Sequence, residues 1–236
     1  MSSVILTVKN LKIMHQNFNF RGHPSFLLKD INFTLPKNRS ISIVGESGSG
    51  KTTLMKTLLG IHSIKSGRVL FYDTDIGKIN SKEKKNYRRS IQPVFQNYRQ
   101  SFNPLITLRK SLLIGFNQKM SPSGKVKFLH ENLNLVELPI DIIHKYPHQV
   151  SGGELQRLAF VRALTTQPQI LVLDEPFSSL DIINEQKLLE IILNIQKTYQ
   201  LSIIFITHKL PLVQYFNDQV HKITNNQFSR WSKYEQ

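Results

Sequence analysis

The chain contains no cysteine among its 236 residues. Disulfide bridges, thiolate metal sites and cysteine nucleophiles are therefore excluded as sources of stability or chemistry. Long hydrophobic runs are also missing, because no stretch reaches the roughly 18 consecutive apolar residues of a membrane-spanning helix. The first ten residues hold only Val4, Ile5 and Leu6 as an apolar run, with no basic residue before them, so we expect no secretory signal. We expect a protein of the cytosol or of the cytosolic face of a membrane.

Acidic residues are scarce. The chain has 16 of them against 31 lysines and arginines, which gives a formal net charge of +15. Such a balance suits a nucleic acid, an anionic lipid or a phosphate-bearing ligand. It equally fits a solvated basic surface without a dedicated partner, and we interpret the basic stretch at residues 82–89 as a solvated helix, with nucleic-acid contact as the alternative. Charge alone does not choose among these functions, so the choice depends on motifs.

Hydrophobic residues make up 40% of the chain, enough for a full core in one or two domains. Strand patterns dominate the N-terminal third, at residues 4–8 and 26–35. Residues 97–150 contain loops, helices and several proline breakers, which predicts an inserted helical subdomain. Beyond Ser151, helices alternate with strands at residues 170–173 and 202–207. This order predicts an α/β fold around a mostly parallel sheet.

The strongest local motif reads Gly-Glu-Ser-Gly-Ser-Gly-Lys-Thr at residues 45–52, and it fits the pattern G-x-x-x-x-G-K-[ST]. It lies between a predicted strand at residues 41–44 and a predicted helix at residues 53–59, as a phosphate-binding loop requires. Glycines let the backbone amides approach a phosphate, and the helix that follows presents its positive end. We predict that the nucleotide site comprises Gly45, Glu46, Ser47, Gly48, Ser49, Gly50, Lys51, Thr52 and Thr53.

Two carboxylates follow the buried strand pattern Ile-Leu-Val-Leu at residues 170–173. Open α/β sheets bind ligands at the carboxyl ends of their strands, where Asp174 and Glu175 stand. We predict that Asp174 orients the shell of a Mg²⁺ ion and that Glu175 accepts a proton from an attacking water. An acidic turn closed by Pro176 is the alternative interpretation.

A third motif, Val-Ser-Gly-Gly-Glu at residues 150–154, precedes an apolar helix. Ser151 and Glu154 have the spacing of a capping box, which would explain both residues structurally. Gly152 and Gly153 weaken a helix start by about 1 kcal/mol each, and a simple cap does not need them. Bare amides at this point suit contact with an anion, and a second copy of the fold could supply that anion.

These motifs in this order resemble the nucleotide-binding subunits of ATP-binding cassette (ABC) transporters. The resemblance extends over nearly the whole chain and implies one ABC nucleotide-binding domain over residues 1–236. Its expected parts are a P-loop core at about residues 1–96 and 160–236, with an N-terminal antiparallel β part, and a helical subdomain at about residues 97–159. It also implies ATP and Mg²⁺ as cofactors, and ATP hydrolysis coupled to transport.

The resemblance assigns further roles. Gln96 matches the loop that senses Mg²⁺ and contacts the permease, so we expect Thr52, Gln96 and Asp174 around the metal. His208 matches the switch histidine at the γ-phosphate, beside the catalytic Glu175. Three sets complete the match: Ser151, Gly152, Gly153 and Glu154 would contact the partner's ATP, Ser179 and Asp181 would form the dimer loop, and His15, Phe18 or Phe20 would stack on adenine. The signature departs from the usual pattern at Val150 and Glu154, where Leu and Gln are typical.

Residues 94–104 indicate the branch, because Val-Phe-Gln-Asn-Tyr-Arg-Gln-Ser-Phe-Asn-Pro is similar to a stretch of ATPases from dipeptide, oligopeptide and nickel importers. Tyr98 and Phe102 depart from that stretch. Members usually carry a further C-terminal segment, and its absence before Gln236 fits the smaller ATPases of nickel, cobalt or metal-chelate importers. We therefore expect import of a peptide or a metal complex, at the cytosolic face of the membrane.

The expected partners are a second, different ABC ATPase, two permeases and an extracytoplasmic binding protein, with no nucleic acid. A nucleic-acid-associated ABC ATPase is an alternative that the positive charge would suit. The absence of a heptad run between Gln96 and Val150, and of any zinc-binding cysteine, argues against it. An exporter or lipoprotein-release ATPase is a further alternative, which the stretch at residues 101–104 disfavours.

Overall fold

A computed structural model describes residues 3–14, 26–116, 119–178, 180–216 and 218–231. The described residues form one ten-stranded sheet with the strand order β5-β4-β1-β2-β10-β9-β3-β8-β7-β6. The strands are β1 (Val4–Met14), β2 (Phe26–Pro36), β3 (Ser40–Gly45), β4 (Ser66–Phe71), β5 (Thr74–Asp75), β6 (Ile91–Val94), β7 (Ile170–Asp174), β8 (Ser202–Thr207), β9 (Gln219–Thr224) and β10 (Gln227–Arg230). The helices are α1 (Lys51–Leu58), α2 (Ser81–Ser90), α3 (Leu108–Leu113), α4 (Pro122–Leu135), α5 (Gly152–Leu164), α6 (Ile182–Tyr199) and α7 (Leu210–Val213).

The sheet has two parts. Strands β6, β7, β8, β3 and β9 pair in parallel. Strands β2, β1, β4 and β5 pair antiparallel and form the N-terminal part. The two parts meet at β10, which is parallel to β2 and antiparallel to β9. The structure thus has the predicted sheet type, a mostly parallel core with an antiparallel N-terminal addition.

The parallel strands are buried on both faces, which explains their nearly continuous apolar sequences. On β7, Leu171 and Leu173 pack into one hydrophobic cluster, while Ile170 and Val172 pack into another. The first cluster joins this face to helices α3 to α6, and the second joins the opposite face to α1 and the antiparallel strands. Burial of both clusters fixes the register of β7, because a slip of one residue would exchange its two faces.

Several predicted elements have different bounds in the structure. The strand expected at residues 4–8 continues to Met14, because a bulge at Asn10, where φ is +49°, shifts the register and the inward alternation resumes at Leu11. The last two strands, β9 and β10, form a hairpin turned by Asn225 and Asn226 with φ of +49° and +62°. The hairpin β4–β5 was not predicted.

Parallel pairing brings the carboxyl ends of four strands to one edge of the sheet. Strand β3 leads into the glycine-rich loop and α1, and β7 ends at Asp174. Strand β8 ends one residue before His208, and β6 ends two residues before Gln96. Residues that are far apart in sequence therefore converge where ligands bind in open α/β sheets.

Candidate functional site

The glycine-rich loop leaves the start of α1 without a side-chain cap. Gly48 and Gly50 adopt φ of +79° and +100°, a region that favours glycine, and Gly50 is the N-cap residue of α1. Among the residues that the structure describes, no side chain accepts a hydrogen bond from the first amides of α1, and the first turn has no acidic residue. A side chain at position 50 would also bring its Cβ to 3.0 Å from Cγ of Leu27. The geometry leaves this helix end open to an anion.

Lys51 has only 6% of its surface exposed, and its amine lies inside the loop. Its Nζ donates hydrogen bonds to the carbonyl oxygens of Gly45 at 2.7 Å and Glu46 at 2.8 Å. The same Nζ lies 3.7 Å from Oε1 of Glu175. The lysine thus links the glycine-rich loop to the carboxylates at the end of β7.

Asp174 and Glu175 lie side by side but in different environments. Asp174 is buried, and its burial raises its pKa, with the neighbouring Glu175 raising it further. The cation of Lys51 and a hydrogen bond from Thr52 oppose this shift in pKa. Glu175 adopts a left-handed backbone conformation with φ of +49°, and its amide donates to the carbonyl oxygen of Ile206 on β8. Such a conformation is uncommon outside glycine and often marks functional residues.

His208 contacts Glu175 directly. Its Nδ1 lies 2.7 Å from Oε2 of Glu175, and 51% of its side chain is exposed. On the other side of the site, Nε2 of Gln96 donates to Oγ of Ser178 at 3.4 Å. The predicted Gln96, Glu175 and His208 therefore lie around one space, although their sequence positions differ widely.

That space is a cavity of about 600 Å³, large enough for a nucleotide. Its lining contains nearly all of the residues that the sequence predicted for nucleotide, metal and catalysis. They are Glu46, Ser47, Gly48, Gly50, Lys51, Thr52, Thr53, Gln96, Asp174, Glu175 and His208, together with Leu27. Gly45 and Ser49 instead line a second cavity behind the same loop.

The Val-Ser-Gly-Gly-Glu motif lies at a different place, in a groove of about 280 Å³ that shares no lining residue with the first cavity. Here the capping box is complete. Glu154 donates its amide to Oγ of Ser151 at 3.2 Å and accepts from the amide of Ser151 at 2.7 Å. The Ser151 hydroxyl also donates to the Glu154 carboxylate at 2.8 Å. These bonds lower the pKa of Glu154.

The two glycines of this motif have different surroundings. A Cβ on Gly152 would come within 3.0 Å of the Tyr98 hydroxyl, so a contact inside the chain already favours glycine there. A Cβ on Gly153 would meet no atom within 4 Å. Only Gly153 therefore lacks a reason inside the chain, and it borders the open groove.

Comparison with known proteins identifies the family of this chain. The ABC transporter family profile matches residues 28–178, more than half of the chain. The chain belongs to the ABC transporter family. The oligopeptide transport ATP-binding protein OppF of Lactococcus lactis is 32% identical over 94% of this chain and 72% of its own length. The nickel import ATP-binding protein NikE of Escherichia coli is 33% identical over 90% of this chain and 80% of its own length.

A solved ABC structure has the same fold. The cbiO1 protein from Clostridium perfringens, part of an ABC transporter complex, superposes with a TM-score of 0.83 at 26% identity, covering 96% of this chain and 87% of that one. The predicted family and fold class are confirmed, and this chain is an ABC-type ATPase. Within the described ranges, no helix combines the length and the apolar character that crossing a bilayer requires.

The structure describes only some of the other residues that were predicted for this ABC ATPase. Asp181 is exposed and caps α6, where its Oδ1 accepts the amide of Asn184 at 2.9 Å. Ser179 lies outside the described residues, as do the three candidates for adenine stacking, His15, Phe18 and Phe20.

Sequence reasoning missed two residues of the cavity region. Leu27 lines the cavity from β2, and a strand alternation gives no signal for such a role. Ser178 contacts Gln96, and its position directly before Ser179 of the predicted dimer loop could have indicated it. Among the described residues, no group of three or more His, Asp or Glu could hold a metal by itself.

Proposed function

We propose that this chain is the ATP-hydrolysing subunit of an ABC importer, in which ATP turnover drives uptake of a peptide or of a nickel-, cobalt- or zinc-type metal complex. The observation that carries the proposal is the convergence of Lys51, Asp174, Glu175 and His208 in one cavity of a chain whose relatives include OppF and NikE. The stretch at residues 94–104 supports the importer branch over an exporter.

Nucleotide binding follows from the loop. The amides at the start of α1 would receive a phosphate group, and the Lys51 amine would turn from two carbonyl oxygens to the β- and γ-phosphates. Thr52, Asp174 and Gln96 fit a Mg²⁺ ion, because a hydroxyl, a carboxylate and an amide are hard oxygen donors and phosphate oxygens would complete the shell. When bound, Mg²⁺ supplies positive charge that neutralises the phosphates.

Hydrolysis would depend on Glu175 and His208. Glu175 lies at the edge of the cavity with one oxygen near Lys51 and the other on His208. It would accept a proton from the attacking water, and His208 would hold that carboxylate in place and contact the γ-phosphate. Gln96 would complete the γ-phosphate environment from the opposite wall of the cavity.

The signature groove would serve a second ATPase. Ser151, Gly153 and Glu154 border a groove away from this chain's own cavity. The ATP that they and the adjacent Gly152 contact would therefore belong to the partner. Ser179 and Asp181 would lie at the same interface. A heterodimer of two different ATPase chains is the proposed assembly.

The remaining partners are two transmembrane permeases and an extracytoplasmic binding protein, which would select the cargo. The ATPase would lie at the cytoplasmic face of the membrane as a peripheral subunit. Closure of the two ATPases would move the permeases through the segment at residues 96–107. No nucleic-acid partner is proposed.

The Glu175→Gln substitution tests the catalytic assignment. The change removes the proton acceptor but keeps a side chain of equal size, so we expect hydrolysis to slow by about 10²–10⁴-fold while ATP affinity is retained. Phosphate release by the assembled complex and nucleotide binding to the variant measure the two effects. Glu190→Gln on exposed α6 is the matched control. Unchanged turnover, or lost ATP affinity in a folded variant, would contradict the assignment, and uptake of labelled peptide or nickel by the complex identifies the cargo class.

A further inference from the structure

Helix α2 carries its basic residues on one side only. Successive residues of a helix rotate by about 100°, which places Lys82, Lys84, Lys85, Arg88 and Arg89 within an arc of about 160°. The buried Tyr87 lies on the opposite side and packs into the hydrophobic core. The outward half of α2 is therefore a strip of five cationic side chains.

The strip has no neutralising partner in the part of the chain that the structure describes. The only acidic residue of α2 is Glu83, which lies outside the basic arc and accepts the amide of Asn80 at 2.9 Å in a capping box. None of the described ion pairs involves a residue of α2. Lys82, Lys85 and Arg88 are exposed, and Lys84 and Arg89 are half-buried, so an external anion can approach the strip.

Two arginines fix the strip to the body of the protein. Arg88 donates to the carbonyl oxygen of Gly60 at 2.6 Å, just after α1. Arg89 donates to the carbonyl oxygen of Gly115 at 3.1 Å, just after α3. The Tyr87 hydroxyl holds the inner side of α2 through the carbonyl oxygen of Leu58. The orientation of the basic residues is therefore set by the fold.

Exposed apolar side chains are next in sequence to both glycines that the arginines of the strip contact. Ile61 follows Gly60 and is 51% exposed, and Ile114 precedes Gly115 and is 71% exposed. Contact with a purely polar partner would bury these large aliphatic side chains with little gain in free energy. A basic surface with apolar side chains at its edges is typical of proteins that lie on a membrane interface. We call α2's five basic residues with Ile61 and Ile114 the basic face.

We propose that the basic face binds the headgroups of anionic phospholipids around the transporter. The inference rests on the proposed function, since α2 leads directly through β6 into the segment at residues 96–107 that would contact the permeases. A face beside that segment would lie close to the cytoplasmic leaflet, whose negative potential attracts lysine and arginine. Lipid fits better than nucleic acid because the aliphatic side chains can enter the interfacial region of a bilayer, whereas a phosphate backbone has no apolar surface for them to contact.

The test uses the purified full chain and sedimentation with vesicles of phosphatidylcholine, with or without phosphatidylglycerol. We expect binding only to the anionic vesicles, and weaker binding as salt is raised. Replacing Lys82, Lys84 and Lys85 with Gln should weaken partitioning by about a hundredfold, because each lysine near an anionic surface contributes about 1 kcal/mol. The matched control replaces Lys37, Lys127 and Lys197 with Gln, which removes equal charge from elements outside the basic face.

Equal loss in the control variant, or equal binding to neutral vesicles, would overturn the proposal. Failure of the wild-type chain to bind anionic vesicles would also overturn the proposal. In that case, loss of permease assembly or of duplex DNA binding in the lysine variant would identify a different partner. The salt series on the wild-type chain gives a result even if the variant fails to fold. Vesicle binding requires neither ATP hydrolysis nor the permeases, so failure of this inference can be told apart from failure of the importer function.

Discussion

Two helices of this protein begin at glycine-rich turns, and they differ in whether side chains cap their first amides. At α1 no described side chain caps the helix, and the amine of a buried lysine lies inside the preceding loop. At α5 a complete capping box covers the helix start with Ser151 and Glu154, and the first turn carries a negative charge. A free helix end together with a cation favours a phosphate, whereas a capped end is already satisfied.

The difference agrees with the proposed roles, in which α1 binds a nucleotide of this chain and α5 contributes part of the partner's site. The capping box occupies the amides of Ser151 and Glu154, and the serine hydroxyl donates to the glutamate. The amides of Gly152 and Gly153 remain outside the box, and of the two glycines only Gly153 could carry a Cβ without an atom within 4 Å. An incoming phosphate at α5 would therefore meet two amides next to a carboxylate, and its binding would depend on the partner's own loop.

Removing the cation from α1 should give the largest effect. In Lys51→Ala the phosphate would lose charge-assisted hydrogen bonds worth about 1.5–3 kcal/mol each, so we expect ATP turnover to fall by a hundredfold or more. Phosphate release by the assembled complex measures this loss. Lys56→Ala, in the last turn of the same helix, is the control and should stay near the wild-type rate. Undiminished activity of Lys51→Ala would show that α1 is not the phosphate site.

Adding a charge to α5 should affect the complex but not the lone chain. Gly153→Asp places a carboxylate where the partner's phosphate would approach, and repulsion in a closed, poorly hydrated interface is worth several kcal/mol. We expect the complex to lose ATP-driven closure and turnover. ATP affinity of the isolated chain should remain within about twofold, because the first cavity shares no residue with this groove.

Gly153→Ala is the matched control for that change, since its added Cβ meets no atom within 4 Å. Normal turnover of the Gly153→Asp complex would reduce the motif to a helix cap at this site. The proposal that this chain completes its partner's active site would then be wrong.

The smallest expected effect concerns the cap alone. Ser151→Ala removes the hydroxyl that accepts the Glu154 amide, so we expect thermal or denaturant unfolding to show a loss of about 1 kcal/mol. If the serine also contacts the partner's phosphate, turnover of the complex should fall by more than this stability change explains. Glu154→Gln keeps the spacing of a capping box but removes the negative charge. Comparing its stability and turnover with those of Ser151→Ala separates capping from contact with the partner's phosphate. A stability loss with unchanged turnover would assign Ser151 to capping only.

Local motifs predicted much of this molecule because they depend on neighbours in sequence. The glycine loop, the strand before Asp174 and the capping box each lie within a few residues, and the structure shows all three. Their assignment to catalytic roles stays a prediction, as do the bounds of the helical subdomain. The strand predicted at residues 202–207 is present in the structure, because a short unbroken apolar run is typical of a parallel strand that is buried on both faces.

Other features could not be read from the sequence, because they depend on contacts between distant residues. The bond from His208 to Glu175 joins two strand ends, and no spacing rule relates them. The sequence suggests that Gly152 offers bare backbone to an anion, whereas the structure places the Tyr98 hydroxyl 3.0 Å from where a Cβ on Gly152 would lie. The turn at Asn225 and Asn226 did carry a hairpin signal, since asparagine tolerates positive φ.

The short length of α1 has a mechanical consequence. Its eight residues span about 12 Å, and its backbone hydrogen bonds make it a stiff rod. The phosphate loop is attached to one end, and the carbonyl oxygen of Gly60, which anchors Arg88, lies just beyond the other. Movement of α1 along its axis would therefore displace the glycine-rich loop at one end and act, at the other, on the bonds that Tyr87 and Arg88 of α2 donate to Leu58 and Gly60.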